Sequence, residues 1–122
     1  MKRILVVDDE QLLLDLVSHL LSKIGYQVDQ AIDCREAAGK LKEKGYDAIF
    51  LDMKMPFMDG KGFYEKVQAH FPDMAKRIIF LTGDIANQST TEFIQETGNL
   101  HLHKPFTIKE FKAVLDQLFQ SV

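Results

Sequence analysis

Five short apolar runs, alternating with longer stretches whose apolar residues recur at helical spacing, constrain this chain more than any other feature. The runs are Arg3 to Val7, Tyr26 to Ala31, Ala48 to Leu51, Arg77 to Leu81 and Leu100 to His103. Near-continuous apolar strands joined by helices form a parallel sheet covered on both faces, because each parallel crossover carries a helix back over the sheet. The first crossover is the clearest. Leu12, Leu13, Leu16, Val17, Leu20, Leu21 and Ile24 recur at three and four residues, and Gly25 supplies a stop. Asp33-Cys34-Arg35-Glu36 and Thr107-Ile108-Lys109-Glu110 have the spacing of a capping box and place helix starts near Cys34 and Ile108. Gly45 and Gly98 are expected to end the second and fourth helices. A third helix is expected from about Lys61 to His70 ahead of Pro72, a fourth from about Asn87 to Glu96 and a fifth from about Ile108 to Leu118. The weakest elements are the fifth strand and the fourth helix. Asn87-Gln88-Ser89-Thr90-Thr91 is polar and β-branched, so that helix is marginal, and expected to be mobile, unless Phe93 and Ile94 pack.

Four of these runs lead into polar residues. Asp8-Asp9 follows Ile4 to Val7, Asp52 follows Ala48 to Leu51, Thr82-Gly83 follows Ile78 to Leu81, and Lys104-Pro105 follows Leu100 to His103. In one parallel sheet these ends bring three carboxylates, a hydroxyl and an ammonium to one edge, where open α/β sheets hold their ligands. Clustered acids repel one another unless a divalent cation joins them, and a hard cation such as Mg²⁺ prefers oxygen ligands and binds phosphates at the same time. A lysine and a threonine opposite the acids suit a phosphoryl group.

With 122 residues, 46% hydrophobic and 27% charged, the chain fits one domain spanning residues 1 to 122. A net charge of -3 and a pI near 5.8 give no bulk attraction to nucleic acid or to anionic membranes. Cys34 has no second cysteine to pair with, which suits a reducing cytoplasm, and it reads as an inert helix residue. No run approaches the roughly 18 apolar residues of a membrane span, and the first residues lack a signal peptide's layout, so a soluble chain is expected. With no effector domain after Val122, output is expected to come from binding another protein or from other parts of a longer polypeptide.

Asp8-Asp9, Asp52 within Asp52-Met53-Lys54-Met55-Pro56-Phe57-Met58-Asp59-Gly60, Thr82-Gly83 and Lys104-Pro105-Phe106 together resemble a receiver domain of two-component response regulators, including the chemotaxis regulators. The resemblance covers essentially the whole chain. It implies a flavodoxin-like, doubly wound α/β fold with a five-stranded parallel sheet in the order 2-1-3-4-5 flanked by five helices. It also implies that Asp52 accepts a phosphoryl group from a phosphohistidine on a histidine kinase or a histidine phosphotransfer domain, forming an acyl phosphate. Asp9 and Asp52 would ligate Mg²⁺ through side chains and Lys54 through its backbone carbonyl, while Asp8 acts from the outer edge through water. Lys104 would neutralise charge on the transferring group, and Thr82 would donate its hydroxyl to the bound phosphoryl and so trigger movement of the next loop and helix. The domain would switch a downstream output protein or domain. It is expected to be no enzyme beyond its own phosphoryl uptake and hydrolysis, to contact no nucleic acid directly and to insert in no membrane. A cis peptide is expected before Pro105, and Pro56 and Gly60 are expected to shape the loop and helix entry after Asp52. By the same resemblance, Lys54 and Asp84 occupy positions that in such receivers influence how fast the acyl phosphate hydrolyses.

One departure is His101, which stands three residues before the lysine where many receivers carry Tyr or Phe that swings inward on activation. His101 is expected to be a weaker or pH-sensitive switch, since an imidazolium is costlier to bury than a phenyl ring. His101 and His103 share a strand face and invite a transition-metal reading, but no further ligand stands at convincing spacing. His19 and His70 read as helix-surface residues, and Met53, Met55 and Met58 as packing residues. Two other functions compete. A receiver-like scaffold acting without phosphorylation is disfavoured by the intact acids, Thr82 and Lys104. A small phosphatase with Asp52 as nucleophile, like haloacid-dehalogenase enzymes, is disfavoured because Lys54 stands where their second Asp belongs and little chain remains for a substrate cap.

Overall fold

A computed structural model describes residues 1–55, 58–83 and 87–120; Pro56 and Asp84, to which roles were assigned above, lie outside the described residues. The apolar runs form β1 (Arg3–Val7), β2 (Gln27–Ala31), β3 (Ala48–Asp52), β4 (Ile78–Thr82) and β5 (His101–His103). All pair in parallel in the order β2-β1-β3-β4-β5, as expected. The chain leaves β1 towards one edge and returns past it to β3, so the crevice between β1 and β3 is the point where doubly wound sheets bind ligands.

The helices are α1 (Gln11–Lys23), α2 (Cys34–Glu43), α3 (Gly60–His70), α4 (Pro72–Ala75), α5 (Gln88–Thr97) and α6 (Ile108–Gln120). The single turn α4 makes six helices among the described residues where five were expected. It forms because Phe71 breaks α3 at φ -138° and ψ 65°, and Pro72 then takes a first-turn position, where a missing N–H costs nothing. Local signals behave as their chemistry dictates. The Asp33 carboxylate accepts from the Glu36 N–H at 2.9 Å, and Thr107 and Glu110 close a reciprocal box at 2.9 and 3.1 Å. Gly98 ends α5 in the left-handed region at φ +73°. Gly45 is not the cap of α2: Lys44 ends that helix with extended backbone.

Alternation along the strands divides the core into two layers. Leu5, Val7, Ile49, Leu51, Ile78 and Phe80 face α2, α3 and α5, while Ile4, Val6, Phe50, Ile79 and Leu81 face α1 and α6. Phe50 stacks on Phe111 of α6 at 4.1 Å, a contact that fixes that helix against β3. The marginal α5 is held by Ile94, which is buried, and by Phe93, whose ring meets Tyr64 at 5.7 Å and Phe80 at 5.6 Å. Both residues on which that helix was expected to depend are thus packed.

Candidate functional site

Strand register brings the polar ends together. Val7 pairs with Leu51, Asp52 with Leu81, and Thr82 with His103, so Asp8, Asp52, Thr82 and Lys104 emerge at neighbouring points along one sheet edge. The ladder continues one residue past the strands: the Asp8 N–H donates to the Ala31 carbonyl at 3.1 Å, and the Lys104 N–H donates to the Thr82 carbonyl at 2.8 Å. These bonds fix where both side chains begin. The Lys104–Pro105 peptide is cis, as expected.

Asp8 is fully buried, and Asp52 and Thr82 are 5% and 4% exposed. The Lys104 ammonium lies close to three carboxylates. Its Nζ lies 2.6 Å from Asp8 Oδ2, 3.4 Å from Asp52 Oδ2 and 3.4 Å from Glu10 Oε1. Asp8 Oδ2 nevertheless receives no directed hydrogen bond, so its contact with Lys104 is an ion pair of poor angle and the oxygen keeps capacity to accept. Asp8 Oδ1 accepts from the Glu10 N–H at 2.9 Å, and Asp52 Oδ1 accepts from the Lys54 N–H at 3.2 Å.

Above these groups opens a cleft of about 350 Å³, whose lining includes Asp9, Asp52, Lys54, Thr82 and Lys104. Asp9 and Lys54 are exposed at its mouth, and Asp8 lies behind it. Two lining residues were missed from sequence. Glu10 directly extends the Asp8-Asp9 acid run, a signal that was present, whereas Thr90 reaches the cleft from α5 and only tertiary placement reveals it.

Burial raises the Asp52 carboxyl to about 6, with the Asp8 charge adding to the effect and Lys104 opposing it. Burial likewise raises Asp8, outweighing the Lys104 contact and the Glu10 N–H. Burial alone would lower Lys104, but Asp8, Asp52 and Glu10 hold it above its ordinary value. One ammonium therefore faces several carboxylates, and the cluster carries surplus negative charge. Ligand oxygens of Asp8, Asp9 and Glu10 lie within 4.8 Å of one another, the only such group of three among the described residues. An all-oxygen donor set with an under-satisfied buried carboxylate fits Mg²⁺ and not a soft transition metal. His101 and His103 do touch, with ring centroids 5.1 Å apart, but no third ligand joins them among the described residues. His101 is exposed and borders a cavity of about 190 Å³ shared with Thr82 and Ile94.

No helix among the described residues is long and apolar enough to cross a membrane. A family model described as the response regulator receiver domain matches residues 4–116. The chain is 30% identical over 118 residues to the transcriptional regulatory protein QseB of Escherichia coli O157:H7, covering 97% of this chain and 53% of that protein. It spans 18 to 53% of the length of the curated relatives it matches. Among solved structures, the Vibrio cholerae chemotaxis protein CheY4 is 30% identical, with TM-score 0.86 over 97% of this chain and 98% of that one. The Thermotoga maritima response regulator TrrA, solved in complex with Mg(2+)-BeF, is 31% identical, with TM-score 0.82 over 97% of this chain and 99% of that one. The matched span takes in β2 to β5, β1 from Ile4 onward and the acidic cleft, and the chain belongs to the receiver domains of response regulators.

Proposed function

We propose that Asp52 is the phosphoacceptor of a two-component phosphorelay. The observation that carries this reading is the convergence of Lys104 Nζ on Asp8 and Asp52, at 2.6 and 3.4 Å, beside the Thr82 hydroxyl and an open acidic cleft. An Asp52 carboxylate oxygen attacks the phosphorus of a phosphohistidine; the new P–O bond forms as the P–N bond breaks, and the electron pair returns to the imidazole nitrogen. Lys104 neutralises charge on the equatorial oxygens, so positioning and electrostatics supply most of the acceleration. Asp9, Asp52 and the Lys54 carbonyl would hold Mg²⁺, which would offset the negative charge of both the acids and the phosphoryl group. TrrA carries Mg²⁺ in its complex, which supports the same ion here. Asp8, from behind, keeps Lys104 aimed at the cleft.

Thr82 donates its hydroxyl to the phosphoryl group, and His101, which lines a cavity together with Thr82, follows it inward. The donor is a histidine kinase or a histidine phosphotransfer domain in the cytoplasm, and the receiver controls an output protein or domain without itself touching nucleic acid. The docking face is α1, where Leu12 and Leu16 are 87% and 55% exposed one turn apart, next to the acids at the start of the helix. The chain catalyses only its own phosphoryl uptake and hydrolysis. Phosphoramidate with Mg²⁺ is expected to give an acyl-phosphate signal by ³¹P NMR in the wild type and none in Asp52→Asn; an equal signal in the variant would overturn the assignment.

A further inference from the structure

A second cleft, of about 600 Å³, lies between α2 and α3, away from the acids. Its floor is apolar: Leu41, Phe63 and Val67 are buried, and Met58 and Phe71 complete the wall. Its rim is basic, with Arg35 and Lys42 on α2 and Lys66 and His70 on α3, and there is no carboxylate among the described lining residues. This reverses the charge of the chain as a whole, which is -3.

We propose that this cleft binds a single-chain amphiphilic anion, with its apolar chain along the floor and its anionic head against Lys42 and Lys66. Small-molecule sites have volumes of roughly 300–1,000 Å³, mostly apolar walls and a few convergent polar groups, and the α2–α3 cleft has all three features. A hydrophilic anion such as inorganic phosphate would leave the apolar floor wet, and a neutral or cationic amphiphile would leave the basic rim uncompensated or repelled. A free small molecule also suits a cleft of this volume, whereas a protein helix needs a long groove. Cys34 Sγ donates to the Met58 carbonyl at 3.2 Å, so the wall of the cleft is bonded to the loop leaving Asp52.

Decanoate, kept below its micelle-forming concentration, would be titrated into ¹⁵N-labelled protein without metal or phosphodonor, which makes the result independent of Asp52 chemistry. Saturable shifts at Ala38, Leu41, Met58 and Val67 are expected. Affinity is expected to fall at least about tenfold in the double variant Lys42→Glu/Lys66→Glu, about 1.4 kcal/mol or more. Decyltrimethylammonium should not saturate the site, and Ala38→Phe, which fills the cleft, should abolish binding. If Ala38→Phe fails to fold, the charge-reversed pair at exposed positions still decides. Absence of saturation, shifts centred on Leu12 and Leu16, or unchanged affinity after charge reversal would overturn the proposal. Binding of an acidic amphipathic peptide in the cleft where decanoate does not bind would also overturn it.

Discussion

Asp52 is nearly buried beside Asp8 with one shared ammonium, so its ionised form is costly when no divalent cation is present. Its folded carboxyl sits at about 6 against the ordinary 3.8, and one such unit corresponds to about 1.4 kcal/mol. Metal-free Asp52→Asn should therefore be more stable than wild type by about 1–3 kcal/mol in urea at neutral pH with EDTA present. Equal or lower stability would contradict the repulsion argued here. Cys34 gives a pH test away from the site. Burial holds its thiol up at about 11, with Asp33 and Asp59 adding to the effect, whereas an unfolded thiol titrates near 8.5. The folded state keeps its proton while the unfolded state loses it, so stability is complete below about pH 8.5 and declines as the pH climbs towards 11. Urea midpoints across that window should fall less in Cys34→Ala; an identical slope would assign the loss to other groups. At this scale sequence reading found the acids, the hydroxyl and the lysine, because each follows an apolar run. It could not find the Tyr46 hydroxyl donating to Asp29 at 2.6 Å, which joins residues from separate parts of the chain.

Among the elements, the entry to α3 is the most tightly built. A Cβ on Gly60 would lie 2.9 Å from Met53 Cα and 3.1 Å from the Asp52 carbonyl oxygen, and neither backbone atom can yield cheaply. The Gly60 N–H also donates to the Met53 carbonyl at 3.1 Å, tying the helix start to the strand that ends at Asp52. Gly60→Ala should cost about 1–3 kcal/mol by urea unfolding despite alanine's better helix propensity; unchanged stability would contradict the close approach. Caps were readable in advance because their chemistry spans three residues: Asp33, for example, accepts from the Glu36 N–H at 2.9 Å and starts α2. The turn α4 was not, since four residues show no period and Asn99 reaches back from the β5 side to bond the Ala75 carbonyl at 2.8 Å.

For the molecule as a whole, parallel register turns separate sequence motifs into one site. Alternate residues of β1, β3 and β4 fill both core layers, so a slip by one residue would invert every side chain and scatter the cluster. The sheet order was implied by the resemblance, and the apolar runs independently required a parallel sheet. Glu10 and Thr90 show what remains hidden until the chain is folded: one lay in an acid run whose third member had no assigned role, the other on a helix whose placement depends on Phe93 and Ile94. This assembled edge is expected to become phosphorylated at one residue, Asp52. Intact-mass spectrometry of wild type and Asp52→Asn after acetyl phosphate, each with and without Mg²⁺, tests it most directly. A single phosphoryl adduct only in the wild type with Mg²⁺ is the predicted result; an adduct on Asp52→Asn, or none on the wild type with Mg²⁺, would contradict it.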